Sequence, residues 1–489
     1  MANHTIKPDM DIVSRVPSKV WEQIFGHVSV HQLLEFRLIC RSWRSIVDGC
    51  PALMERILLK FPEGFVLDRE YKPEYLVPAR NLSLEKVRIS TVDSWWTTFG
   101  KAIVDLKIID CEFSLSKLLE LLKPMESLKS LQLTNLNQSK SSRLVINLDL
   151  SHVESLMISK ISGDVLNFLV PSFTQLKRID LPAGLDENKI INLIHSLKDS
   201  LEGLTLDYEP TMLKEIIQLK QLTHFTAREG DFSNKDLIEI GKALPKLKSI
   251  SFCLSMETTS LACLSTMNEL ECLSLKASTY YCYIQSKFFP CHKVVRDFTV
   301  AKNLKLINFK LSGIIPTSDS LYKYFDNSPN IVDIGLFYCT FNSWLDIFEA
   351  LELFCATLQR LELHSLHVEN THDRLTEYFD SLKCLKIYGC DIPKKLLIKF
   401  IRLCPQLEEI QLSAMITLDD EVVLVLCQNL KQLERMSLND CFFLTDQSVD
   451  YILEHCHTLK KLTVQSCPKL SAEAKNKLKS LKNVRCVVE

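Results

Sequence analysis

Cysteine and histidine are the side chains here that could do chemistry; the 489-residue chain carries 18 of the first and 12 of the second. Cys282, Cys291 and His292 invite a zinc reading, with a C-x8-C-H spacing. Zinc sites pair thiolates and imidazoles two to four residues apart and close around four ligands. Neither the paired spacing nor a fourth nearby ligand occurs, so no metal is expected. His364, His367 and His372 fall partly in a strand and partly in the helical half that follows it, and are read as core or surface histidines. The phosphate-cradling G-x-x-x-x-G-K-[ST], the nucleophile elbow G-x-S-x-G and the zinc motif H-E-x-x-H are all missing. Acid pairs such as Asp419-Asp420 and Glu408-Glu409 suit solvated helix starts and strand edges. The expectation is a protein with no catalytic residues, no cofactor and no metal, whose work is done by surfaces.

The totals narrow the partners. A net charge of −2 gives no electrostatic attraction to nucleic acid or to an anionic membrane, so neither is expected as a partner. Hydrophobic residues make up 46% of the chain, enough for a large core. No run of about eighteen apolar residues is present to span a bilayer, and Met1 to Val13 has no apolar stretch of the signal-peptide kind. A cytoplasmic or nuclear address is expected, with reduced thiols rather than a disulfide framework.

Near the front, the stretch from Val16-Pro17-Ser18 to Trp43 has the spacing of three short helices. Pro17 suits a helix start, where a missing N–H costs nothing. Val20, Trp21, Ile24, Phe25 and Val28 then form one broad apolar face. Ser29 is the expected N-cap of a second helix carrying Leu33, Leu34 and Leu38. A third helix begins after Cys40 and places Trp43, Ile46 and Val47 together. So small a unit cannot bury all this surface against itself, which predicts a covering partner. Pro51 to Phe61 shows helical spacing at Leu53, Ile57 and Phe61 and is expected to continue the module as a rigid helix.

This stretch resembles the F-box: a Pro near the start, an Ile-Phe pair, a Leu-Leu pair and a Cys-x-x-Trp ending. It departs from that pattern at Val16, Lys19, Trp21 and Gln32. F-boxes dock onto the small adaptor subunit of SCF-type, cullin-based ubiquitin ligases. The resemblance therefore implies that Val16, Pro17, Ile24, Phe25, Leu33, Leu38 and Trp43 touch that adaptor and, through it, a cullin and a RING subunit.

Behind the head, a unit of the form apolar-x-x-apolar-x-apolar recurs, starting from Leu84/Val87/Ile89 and continuing through Ile103, Leu128, Val153, Leu176, Leu201, Leu222, Leu247, Leu270, Leu304, Ile331, Leu358, Leu382, Leu407, Leu433, Leu459 and Leu481. Each unit reads as a short strand followed by a helical stretch and buries its apolar face only against its neighbours, which predicts a curved α/β solenoid with a parallel sheet on one face. The weakest strand is Leu222 to Ala227. Cysteine recurs at the ninth position, at 111, 339, 390, 441 and 467, and again at 355, 404 and 456. The pattern resembles the cysteine-containing leucine-rich repeat found in F-box proteins.

The expected layout is a tail over 1–13, a head and linker helix over 14–61, a connector over 62–83 and a solenoid over 84–489. An insertion at about 276–303 carries the aromatics Tyr280, Tyr281 and Tyr283. On the sheet face, Phe337, Arg360, His364, Lys386 and Tyr388 come from three consecutive strands and are the candidate target-binding patch, since aromatics and Arg dominate interface hot spots. The resemblance implies the substrate receptor of an SCF-type ubiquitin ligase, with an unidentified protein as target. The alternative is a repeat scaffold or inhibitor whose head serves another complex.

Overall fold

The structure, a computed structural model, describes residues 16–74, 76–91, 93–138, 148–160, 169–255, 261–277, 293–295, 303–316, 318–372, 374–481 and 484–488. The chain divides into two compact units, residues 1–204 and 205–489.

The first unit opens with helices α1 (Ser18–His27), α2 (Val30–Ile39), α3 (Arg41–Gly49) and the single turn α4 (Pro51–Met54). Ser29 caps α2 as expected: its hydroxyl accepts from the Gln32 N–H at 3.2 Å, and the Gln32 side chain accepts from the Ser29 N–H at 3.0 Å. Cys40 caps α3 through its sulfur. Phe25, Leu33, Val47, Leu53, Met54 and Ile57 form the core, with Trp21, Phe36 and Trp43 packed on it. Two arginines lock this arrangement. Arg37, nearly buried, forks onto the Asp48 carboxylate and ties α2 to α3. Arg56 donates to the carbonyls of Phe25 at 2.9 Å, Gly26 at 3.0 Å and Val28, closing the C-terminal end of α1, where a cation also meets the helix dipole.

The expected linker helix over 51–61 stops after one turn. Leu58–Lys60 is instead a strand, pairing in parallel with Asn81–Glu85. Its Leu-Leu-Lys sequence fits either state locally, and pairing to the sheet decides. Further parallel strands follow in sequence order: Asp105–Ile109, Ser130–Thr134, Ser155–Ser159 and Arg178–Asp180. The first repeat is Ala79/Leu82/Leu84, all fully buried, not Leu84/Val87/Ile89. Ala79 is too weak a hydrophobe to announce itself. Arg88–Ile89 belongs to a second, four-stranded ribbon with Val66–Leu67, Glu112–Phe113 and Asn137–Gln138, so part of the 62–83 connector is already paired.

In the second unit the strands His224–Phe232, Ser249–Leu254, Cys272–Ala277, Asn308–Ser312, Asp333–Phe337, Arg360–His364, Cys384–Tyr388, Glu409–Ser413, Arg435–Asn439, Lys461–Gln465 and Arg485–Val488 pair in parallel, each with the next. Alternate residues such as Ile410 and Leu412 are fully buried, while Glu409 and Gln411 point to the other face, the period-two pattern of a half-buried sheet. Capped helices intervene, among them Trp344–Glu352 behind Ser343 and Asp420–Asn429 behind Asp419. Two registers differ from expectation. Leu304 and Ile307 are exposed, and the buried set is Leu306/Phe309/Leu311. At the end, Cys486 and Val488 take the places of Leu462 and Val464, displacing the Leu481/Val484/Cys486 reading. The segment expected to be weakest forms a nine-residue strand, His224–Phe232, paired at both ends across a register shift. Of the candidate insertion, Lys293–Val295 forms a short strand paired in parallel with Ile314–Pro316; its Cys282, Cys291 and His292 lie outside the described residues.

The ninth-position cysteines share one geometry. Each follows by two residues the end of its strand, and its thiol approaches the carbonyl it has just passed: Cys339 to Phe337 at 3.3 Å, Cys390 to Tyr388 at 3.3 Å, Cys441 to Asn439 at 3.2 Å and Cys467 to Gln465 at 3.4 Å. A small apolar group with a weak donor fits a tight turn where a hydroxyl or a larger side chain fits less well. Burial pushes the Cys339 and Cys390 thiols up to about 12. Fifteen of the cysteines among the described residues are free thiols. Alkylation of the native protein near pH 8 should therefore leave Cys339 and Cys390 unlabelled, and unfolding should make all 18 cysteines of the chain reactive without reductant. Fast native labelling of Cys339, read by peptide mass, would contradict the burial argument.

Candidate protein-binding surfaces

The head presents a strip of apolar side chains to water. Val20 and Ile24 lie one turn apart on α1; Val30, Leu34, Leu38 and Ile39 extend the strip along α2. Leu38 is 83% exposed and Ile39 61%. A pair of ten-residue helices that leaves six large aliphatic groups in water has them available for a partner, since such exposure is otherwise costly. Ile24 and Leu38 stand where sequence spacing put them, and Val16 and Pro17 sit beside α1, the first half-buried and the second exposed.

Three expected contact residues do not belong to this strip. Phe25 and Leu33 are 0% exposed and sit in the head's own core. Consecutive helix residues are about 100° apart, so of the Leu33–Leu34 pair only one can face inward; Leu34 is the exposed member. Trp43 packs within an aromatic cluster, its ring 5.2 Å from Trp21, 5.3 Å from Phe25 and 5.2 Å from Phe36. Its task is to hold the three helices together. Leu34 and Ile39 were missed because the spacing fixes the helix but not which side the neighbouring helices cover.

The second surface is the open face of the sheet in residues 333–439. Parallel register sets its residues in rows. Phe337, His364, Tyr388, Ser413 and Asn439 form one row, each opposite the next. The imidazole of His364 stacks on the Tyr388 ring at 4.4 Å and 14°, and Phe337 lies 5.8 Å from His364. Phe337 folds back over Gly335: a Cβ at that glycine would come within 2.5 Å of the Phe337 ring. Glycine here makes the seat for the aromatic group.

The two inner rows are charged and mutually compensated. Arg360 meets Glu362 at 3.4 Å and Asp333 at 3.7 Å; Lys386 reaches Glu362 at 3.5 Å and Glu409 at 4.0 Å; Arg435 donates to Glu409 at 2.8 Å. Burial alone would raise the Glu409 carboxyl, but Arg435 holds it below its ordinary range. Burial raises Asp333. All five expected patch residues thus lie on neighbouring strands of one face. Arg360 and Lys386, however, are engaged with acids of the same sheet, whereas Phe337, His364 and Tyr388 carry the aromatic surface. No group of His, Cys, Asp or Glu able to hold a metal occurs among the described residues.

A family model for the F-box domain matches residues 13–53. No curated protein matches the chain. Solved structures also match, three of them as follows. The TLR13–ssRNA13 complex matches at TM-score 0.43 and 13% identity over 89% of this chain and 75% of that one. The Leptospira interrogans LRR protein LIC12759 matches at TM-score 0.36 and 17% identity over 83% and 95%. The yeast Rad7–Elc1 complex matches at TM-score 0.35 and 12% identity over 98% and 93%.

His364 makes the sheet surface sensitive to acid. Burial lowers its pKa, opposed by the charge of Glu362. The unfolded chain therefore takes up the proton first, near the ordinary value of about 6.5, and the folded protein only at lower pH. The stability this neutral imidazole permits is fully present above that value and is lost as pH falls through the folded pKa. Melting temperature should drop on going from about pH 7.5 to 5.5, and His364→Gln should flatten that drop. An identical slope in the variant would contradict it.

Proposed function

We propose that this chain, an F-box domain followed by a leucine-rich-repeat-like α/β solenoid, is the substrate-recognition subunit of an SCF-type, cullin-based ubiquitin ligase. The carrying observation is that the matched helices leave Ile24, Leu34, Leu38 and Ile39 exposed to water on the consecutive helices α1 and α2. Those side chains are what an adaptor subunit would cover, and a cullin and RING subunit would follow through it.

In this reading the protein makes and breaks no bonds. It holds a protein target near a charged ubiquitin-conjugating enzyme and so raises the target's effective concentration at the site of transfer. Rigidity of the arm matters, because a loosely hung target samples a larger volume. The parallel sheet and the Arg37 and Arg56 locks supply that rigidity within the first unit. The corresponding work is done in the cytoplasm or nucleus, where ubiquitin transfer to such targets takes place.

Truncating the strip separates binding from folding. Ile24→Ala and Leu38→Ala should each weaken adaptor binding by about 2 kcal/mol or more, a hot-spot-sized loss. Their exposure should keep the change in stability within about 0.5 kcal/mol. Trp43→Ala should behave differently, lowering stability by about 3 kcal/mol because it opens the aromatic cluster. Co-purification with the SCF adaptor and calorimetric melting measure the two effects. A double variant at Ile24 and Leu38 that retains the adaptor as well as the parent chain would remove the basis of the proposal.

A further inference from the structure

In the first unit, residues 59–77 and the short helix Trp95–Gly100 enclose a cavity of about 300 Å³. Five aromatic rings line it, among them Phe61, Phe65, Tyr71 and Trp95. Tyr71 meets Phe65 at 4.9 Å and 86°, Phe61 at 6.1 Å and 75°, and Trp95 at 5.7 Å and 75°. Contacts of this edge-to-face kind set the rings at angles to one another, as walls rather than as a closed stack. Backbone hydrogen bonds pin them in place. The Phe65 carbonyl accepts from the Arg88 N–H at 3.0 Å, and the Tyr71 N–H donates to the Asp68 carboxylate at 3.1 Å. The four named rings are half-buried, so the space opens to solvent.

The indole and the charged group of the wall are already engaged. The Trp95 N–H donates to the Tyr71 carbonyl at 3.1 Å. Lys60, the one charged residue among the described residues that line the cavity, meets Glu85 at 2.8 Å. Protein interiors leave few spaces larger than a water molecule, and water in this one meets mostly carbon. An apolar group that displaces such poorly held water gains affinity.

We propose that the cavity binds a small apolar molecule about the size of two fused aromatic rings. An apolar cavity of about 150 Å³ holds one benzene, and a space of about 300 Å³ has room for a second ring. The occupant is a free molecule and not a side chain of a partner protein. Trp95 and Lys60 are committed within the chain and are not available to pair the amide groups that a peptide would carry in. Val77 lines the cavity and also packs on the core of the head, so the occupant braces the joint between the head and the strands that follow. Neither the cavity nor its chemistry depends on the receptor reading.

The test uses the purified full chain and naphthalene as the probe, with saturation-transfer NMR and melting temperature as readouts. Naphthalene should receive saturation from the parent chain, raise its melting temperature and slow hydrogen exchange in residues 59–77. N-acetyltryptophanamide, which carries a two-ring group on a peptide backbone, should bind at least about tenfold more weakly. Leu76→Trp puts two rings into the cavity from a half-exposed position on its wall. That variant should lose naphthalene binding and melt no lower than the parent. Phe65→Ala, which removes a wall without filling the space, should weaken binding about tenfold or more. A parent chain that shows no saturation transfer would overturn the proposal, and so would either variant binding naphthalene as well as the parent. Tighter binding of N-acetyltryptophanamide than of naphthalene would make the occupant a partner's side chain and overturn it too.

Discussion

From Asn308–Ser312 to Arg435–Asn439, each strand of the main sheet in the second unit ends at one residue of positive φ, and the N–H of that residue donates to the last carbonyl of the following strand. Gly313 donates to Phe337, Tyr338 to His364, Ser365 to Tyr388, Gly389 to Ser413, Ala414 to Asn439 and Asp440 to Gln465, at 2.7–3.0 Å. Lys86, Asp110 and Asn135 do the same in the first unit. A side chain in this conformation costs on the order of 1–2 kcal/mol, about what the hydrogen bond returns. The balance is tipped by the paired apolar residues that each strand buries against the next. The turn therefore exists only because the neighbouring strand is in place, and the same step that fixes the turn fixes the residue before it. Phe337, His364, Tyr388, Ser413 and Asn439 are those preceding residues. The alignment of the aromatic row is thus a consequence of the backbone geometry that holds the repeats together.

That geometry also marks the boundary of what the sequence discloses. The period of the buried leucines, the Ser29 cap and the cysteine at each turn could be read directly, because each is dictated by a local requirement. Register failed where the pattern offered two answers. Asn303-Leu-Lys-Leu-Ile-Asn308 has apolar residues at 304, 306 and 307, and only packing against the flanking strands chooses Leu306 over Leu304. Glycine, scarce at 12 residues, does not announce the left-handed turns, since nine of the residues at positive φ are not glycine. Their hydrogen bonds and flanking packing tolerate the strain.

The candidate surfaces divide in the same way. Spacing identified Ile24 and Leu38, and it put Phe337, His364 and Tyr388 on one sheet face. It could not say that Phe25 and Leu33 are interior, because helical periodicity gives the angle between residues and not the identity of the buried side. Nor could it show that Arg360 and Lys386 are matched by Asp333, Glu362 and Glu409, a relation among strands about 25 residues apart in sequence. Ser413 and Asn439 carry no signal of their own in the sequence. Their place in the row is set by strand register alone.

Two surfaces with different chemistry follow: an aliphatic strip on a locked helical head, and an aromatic row on the open face of the sheet. Under the proposed function they are separate sites for separate proteins. Hydrogen–deuterium exchange of the full chain, with and without the SCF adaptor, tests this most directly. The account predicts that the adaptor slows exchange across residues 18–54, which contain α1 to α4, and leaves the strands between Asp333 and Asn439 unchanged. Protection of those strands with the head unaffected, or no protection anywhere at saturating adaptor, would contradict it.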